Sequence, residues 1–248
     1  MSQNRAVLTV YRGLLRQARL LSEEERLVVR HPVDPEAFRR TNHSWAKPAD
    51  EICRETLKEL APYLTEVPGQ FTRASLSSVI RNSFKSSFNA AQEDQGPLQD
   101  TSLRALRTLS DQIAMMQCST STTTQGVNVD VTTAPLFQNE SIFAFTYRCR
   151  IENRGQHKVQ LLGRHWQFKN AHDMLVQEVP KGSPGVVGNT PIIPPGDCFE
   201  YHSAAHLDTP KGSIQGSFQM MQMDAAQQHF DAFVERTRFH QNGRQSEM

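Results

Sequence analysis

Apolar positions along this chain change their spacing once, and the change divides it in two. Through the first half they recur at three- and four-residue steps, which gathers side chains on one face of a helix. Val7, Val10, Tyr11, Leu14, Leu15, Ala18 and Leu21 predict a helix over Leu8–Leu21. Leu76, Val79, Ile80, Phe84 and Phe88 predict a second over Thr72–Ala91, and Leu103, Leu106, Leu109, Ile113 and Met116 a third over Thr101–Gln117. Between the first two, Ser22 with Glu25 offers a capping box, and Pro32, Pro35 and Pro48 interrupt any long helix. Shorter helices are expected over Asp34–Ser44 and Asp50–Tyr63, and Gln92–Gln99, holding Gly96-Pro97, reads as a polar turn. Then Ser119–Gln125, STSTTTQ, offers no apolar anchor, and residues 119–126 are expected to be a linker.

Beyond that run the period drops to two. Phe143, Phe145, Tyr147, Cys149 and Ile151 alternate with Ala144, Thr146, Arg148 and Arg150, the rhythm of a half-buried strand. Strand-like runs also cover Val127–Thr133, Val159–Lys169, Met174–Val179, Phe199–Ala204, Ser213–Met223 and Phe230–Phe239, separated by turn-forming Gly, Pro and Asn clusters. Short strands with frequent turns imply a β-sandwich. The fold class is therefore α+β and multidomain: a helical bundle over 1–118, with an insertion at 22–70, then a sandwich over 127–240 and a tail over 241–248.

Charge changes this picture only locally. Lys and Arg number 27 against 26 Asp and Glu, so no global field points to nucleic acid. No apolar run approaches the roughly 20 residues of a spanning helix, and the chain reads as soluble and intracellular. Cys53, Cys118, Cys149 and Cys198 form no C-x-x-C, so reduced thiols are expected rather than a zinc site. On the first helix, however, Arg12, Arg16 and Arg19 form a stripe, with Arg5 before them and no carboxylate until Glu23. Such an edge suits an acidic partner, and it is equally the solvated face of an ordinary surface helix. The acid-free, Arg-bearing start also matches a mitochondrial transit segment, although Glu23-Glu24-Glu25 follows directly.

Candidate chemistry is sparse. Gly182, Gly185 and Gly188 form a glycine-rich loop whose amides could approach an anion, but Pro191, Pro194 and Pro195 follow it where a nucleotide fingerprint needs a helix. A plain inter-strand loop is the stronger reading. His202 and His206 have the spacing of a metal pair without the Glu of H-E-x-x-H, and read as surface histidines. His165-Trp166 reads as core and edge packing, and no nucleophile, base and orienter can be assembled. An enzyme is not expected, nor is a metal or a cofactor of the protein's own.

Two resemblances add to this. Val10-Tyr11-Arg12 with Gly13-Leu14-Leu15-Arg16, and later Val79-Ile80-Arg81-Asn82-Ser83-Phe84-Lys85, resemble the opening helix and the Phe-bearing basic helix of the LYR-motif family, with Val10 in place of Leu. The resemblance implies a three-helix mitochondrial protein, on the matrix side, that binds acyl carrier protein. Its acyl-phosphopantetheine chain would enter the bundle, and Tyr11, Arg12, Arg16, Arg81, Phe84 and Lys85 would form the docking surface. Residues 127–240 resemble the ApaG domain. The likeness rests on Val159-Gln160-Leu161-Leu162-Gly163-Arg164-His165-Trp166, Gly185-Val186-Val187-Gly188, Pro195-Gly196, Phe199-Glu200-Tyr201 and Gly212 through Met220. This implies a fibronectin-III-like sandwich used as an interaction module, with pyrophosphate suggested for its glycine loop. Together they imply a mitochondrial adaptor, an accessory or assembly protein of a respiratory complex or mitochondrial ribosome. The alternative is a phosphometabolite-binding or hydrolysing sandwich with a helical targeting arm.

Overall fold

Helix α1 (Ser2–Ala18) opens a computed structural model that describes residues 2–31, 33, 43–46, 70–86, 95–138, 142–223 and 227–240. It starts earlier and ends sooner than its apolar pattern predicts. After Ala18 the chain tightens through i to i+3 bonds, Leu20 N to the Gln17 carbonyl at 3.0 Å and Leu21 N to that of Ala18 at 3.4 Å, which still buries Leu21. The capping box forms, with Ser22 N donating to the Glu25 carboxylate at 2.7 Å and Glu25 N to the Ser22 hydroxyl at 3.3 Å, yet no helix follows. Arg26 explains this: its guanidinium donates to the carbonyls of Glu23, Glu24 and Glu25, the acceptors an advancing helix would need.

Instead the chain enters β1 (Leu27–Val28), which pairs antiparallel with β3 (Gln70–Phe71). Thr72 then caps α2 (Arg73–Ser86), accepting from Ser75 N at 3.0 Å while Thr72 N donates to the Ser75 hydroxyl at 2.9 Å. Helix α3 (Gln95–Gln117) begins before its predicted start and takes in the expected Gly96-Pro97 turn. Proline is tolerated there because first-turn amides have no intrahelical acceptor. Buried Gln112 on α3 clamps the backbone of Arg30, accepting from its N at 2.8 Å and donating to its carbonyl at 2.7 Å. The core of this unit is Val10, Leu14, Ala18, Leu21, Leu27, Val29, Phe71, Leu76, Ile80, Ala105, Leu109 and Ile113. The helix expected over Asp50–Tyr63 lies outside the described residues, as does all of the one over Asp34–Ser44 except its last two positions. Those two belong to a strand, β2 (His43–Ala46).

The expected linker is also a strand. Ser119–Thr124 forms β4, and its run of Ser and Thr serves as a row of hydroxyl partners: Thr120 bonds Thr237, Ser119 donates to Thr132 at 3.0 Å, and Ser121 and Thr123 accept from Asn128 at 3.0 Å each. β-branched Thr suits a pleated strand, and a polar run without apolar anchors hides that fact from sequence. The tight turn Gln125–Gly126 has both residues at positive φ (47° and 80°), the geometry of a two-residue hairpin. Gly126 is required, since a Cβ there would lie 2.9 Å from the backbone of Gly155.

The strands that follow are β5 (Val127–Gln138), β6 (Phe143–Asn153), β7 (Val159–Asn170), β8 (Leu175–Pro184), β9 (Ile192–Ile193), β10 (Cys198–Leu207), β11 (Lys211–Gln222) and β12 (His229–His240). All seven runs expected from the sequence are strands. They pair antiparallel in two five-stranded sheets, one ordered β2-β10-β6-β5-β4, the other β12-β11-β7-β8 with β9 also on β7. Between the sheets lies an aromatic core: Trp166 meets Phe218 edge-on with centroids 5.2 Å apart, and Tyr147, Phe168, Tyr201 and Phe239 surround them. Strand β6 is not half-buried as predicted. It is central, and its outward Arg148 is only 2% exposed.

Candidate functional site

On the helical unit, the two aromatic residues picked out from sequence meet. Tyr11 of α1 and Phe84 of α2, both half-buried, hold their ring centroids 4.9 Å apart at 52°. Gly13, two residues on, faces α3, where a Cβ would sit 3.2 Å from the end of the Leu106 side chain, which would have to shift to admit it. Arg5, Arg12 and Arg16 fall within about 40° of arc on α1 at 100° per residue, Arg19 follows the helix's last residue, and all four are exposed. On α2, Arg81 and Lys85 are exposed beside Phe84. Among the described residues, the side chains of Arg12, Arg16, Arg81 and Lys85 have no ion-pair or hydrogen-bond partner. The result is one aromatic seam bordered by unpaired cations.

On the sandwich, the three glycines do not share a role. Val186 and Asn189 exchange backbone bonds at 2.8 Å in both directions, closing a two-residue turn in which Val187 (φ 49°) and Gly188 (φ 77°) are left-handed. A left-handed valine is strained, and it is held because Val187 packs against the sandwich core. Gly185 is sterically required, because a Cβ would lie 2.2 Å from the Asn189 carbonyl oxygen. Its amide donates to the Leu162 carbonyl at 2.9 Å, and that of Gly182 to the Gln219 side chain at 3.3 Å. Arg164 meanwhile donates to the carbonyls of Pro184 and Gly185. The loop thus turns carbonyls to a guanidinium, and two of its three glycine amides are already donating.

His202 and His206 lie on β10, and only His206 is exposed. His202 stands 3.8 Å from Glu200, which also accepts from Arg150 at 3.0 Å and lies 3.9 Å from Arg148. This charged row on the outer sheet face was not anticipated, since Arg148 and Arg150 alternate with apolar residues as solvent-facing positions do. Trp166 is fully buried as expected, while His165 faces outward, 3.2 Å from Glu178. That bond, followed by one from Gln167, holds the Glu178 carboxyl below its ordinary range. The His165 end of the face lines a shallow trough of about 390 Å³ with Gln167, Gln215, Asp231 and Phe233, in which Lys181 is paired with Asp231.

Buried thiols offer no nucleophile. Burial pushes Cys149 up to about 12 and Cys198 to about 11, and raises Cys118 as well, so all three stay protonated at neutral pH. Among the described residues no group of three or more His, Cys, Asp or Glu is placed to hold a metal, and no helix is long and apolar enough to cross a membrane.

Comparison with known proteins identifies the sandwich. Residues 135–222, from within β5 to the end of β11 and including the glycine loop, match the ApaG domain family. Protein ApaG of Chromobacterium violaceum is 46% identical over 93 residues, 38% of this chain and 70% of that protein. Protein ApaG of Thiobacillus denitrificans is 44% identical over 114 residues, 44% of this chain and 86% of its own length. A structural-genomics target solved by X-ray crystallography aligns at 31% identity and a TM-score of 0.45, across 51% of this chain and 95% of that one. This chain covers more than two thirds of the length of both named relatives, and it belongs to the ApaG family.

Proposed function

We propose that this protein is a non-enzymatic mitochondrial adaptor whose LYR-like helices hold acyl carrier protein while its sandwich engages a larger assembly. The observation that carries this reading is the Tyr11–Phe84 seam with its unpaired border of Arg12, Arg16, Arg81 and Lys85. Four cations without internal partners are costly neighbours for one another and gain most from an acidic surface. An aromatic seam beside them gives that partner apolar area to bury. The acyl-phosphopantetheine group belongs to the carrier, and the helices would receive its chain.

Native mass spectrometry of the chain isolated from its source tests this directly. The expected spectrum shows the mass of a carrier plus an acylated phosphopantetheine. Arg12→Glu combined with Arg16→Glu removes that mass at least tenfold while leaving helical content unchanged, since both side chains are exposed and unpaired. Full carrier recovery from the double variant sinks the proposal.

A further inference from the structure

On the outer face of the sheet β8-β7-β11-β12, side chains at paired positions stand in rows across the strands. His165 of β7, Ser217 of β11 and Phe233 of β12 lie directly opposite one another, and in the next row Gln167 faces Gln215. These five residues, with the Lys181–Asp231 pair beside them, line the trough of about 390 Å³. Phe233 is its exposed apolar wall, 58% open to solvent beside a polar floor.

That floor is held in one hydrogen-bonding direction. The ionised Glu178 carboxylate can only accept, and it does so from His165 Nε2 at 3.2 Å and Gln167 Nε2 at 3.4 Å. This turns the Gln167 carbonyl towards Gln215, whose Nε2 donates to it at 3.2 Å. Each bond takes one site of a group that has several: Gln215 keeps its carbonyl and a second N–H, and Ser217, which accepts from Gln219 Nε2 at 3.1 Å, keeps its O–H. Donors and acceptors therefore lie side by side on strands, already oriented by the protein. Charge in the lining balances, Lys181 and Arg236 standing against Asp231 and Glu235, and Arg236 is itself held at 2.8 Å by Asp173.

We infer that this trough binds a neutral carbohydrate, a pyranose ring of an oligosaccharide laid across β7, β11 and β12. The apolar C–H face of such a ring covers Phe233, and its hydroxyls, each both donor and acceptor, meet the remaining sites of Gln215 and Ser217. The lining discriminates among ligand classes. A phosphate-bearing ligand needs surplus positive charge, which the balanced lining does not supply. An apolar peptide would leave the amides and the hydroxyl beneath it without partners. A trough open along one side leaves room for rings on either side of the one that is held. The site belongs to the sandwich and does not depend on what the helices bind.

Nitrogen-15 magnetic resonance of the full chain, titrated separately with cellohexaose, maltohexaose and N-acetylchitohexaose, reads the trough directly. At least one of these should shift the side-chain amides of Gln167 and Gln215 and the backbone amides of Ser217 and Phe233 saturably, while the indole signal of buried Trp166 stays in place and reports an intact core. Phe233→Ala should weaken binding of that sugar at least tenfold, and Phe233→Tyr, which keeps a ring, should retain it. No shift with any of the three at about 5 mM overturns the inference. So does binding undiminished in Phe233→Ala, or adenosine monophosphate moving the same signals at a lower concentration than every sugar.

Discussion

The helical unit and the sandwich solve opposite problems. Among the described residues, twelve apolar side chains are buried in the helical core and twenty-three in the sandwich core. Arg5, Arg12 and Arg16 of α1 and Arg81 and Lys85 of α2 are exposed, whereas on the outer face of β6 Arg148 and Arg150 are buried beside Glu200. Core size sets intrinsic stability, and unpaired surface charge sets the demand for a partner. The helical unit, with its exposed cations, is therefore the one that stands to gain more from binding, because a ligand that binds only the folded state stabilises it by mass action.

That contrast can be broken by removing one core ring. Phe218→Ala strips the edge-on partner of fully buried Trp166 and should cost about 3–5 kcal/mol. The measurement is a urea titration followed by tryptophan fluorescence for the sandwich and by far-ultraviolet dichroism at 222 nm for the helices. The fluorescence midpoint should fall while the helical midpoint stays; a joint shift would mean that the two units unfold as one. Gln112→Leu tests the opposite side. It leaves the Arg30 amide and carbonyl without their two bonds, for a cost of about 1–3 kcal/mol, and should lower the helical midpoint alone.

Alkaline pH sharpens the comparison more gently. The thiols of Cys118, Cys149 and Cys198 all lie in the sandwich, and burial raises each of them. A group whose folded value is raised contributes in full below its unfolded value, about 8.5 for a thiol. For Cys149 that contribution is lost progressively as pH climbs towards about 12. By pH 9 it should lower sandwich stability by about 1 kcal/mol, which Cys149→Ala removes from the pH dependence. An identical pH slope in wild type and variant would show that this thiol does not report on the core.

Much of the sandwich is legible in the sequence because a two-residue rhythm and turn residues survive in every central strand. The exceptions have physical causes. Ser119–Thr124 carries no apolar side chain, so a strand held by hydroxyl bonds looks like a linker. Arg148 and Arg150 look solvent-facing because alternation reports only which face a residue takes, and not whether that face is covered. The capping box expected at Ser22–Glu25 forms as a pair of bonds, and no helix follows it because Arg26, one residue later, takes the carbonyls of Glu23, Glu24 and Glu25. At the candidate site, periodicity places Tyr11 and Phe84 on inward faces, but their meeting depends on how α1 and α2 pack. The commitment of the Gly182 and Gly185 amides depends on Gln219 and Leu162, which no local pattern links to them.

Strand β2 has a further consequence for how the molecule is made. Residues 43–46 lie early in the chain and find their pairing partner, Cys198–Tyr201, only after on the order of 150 more residues have been synthesised. Gln70–Phe71, which follow them, return to the helices. The polypeptide is therefore sewn back and forth between its halves rather than joined by a single hinge. Neither half can be liberated whole by one proteolytic cut, and a fragment begun at residue 119 would emerge with the flank of Phe199 bare and prone to clump.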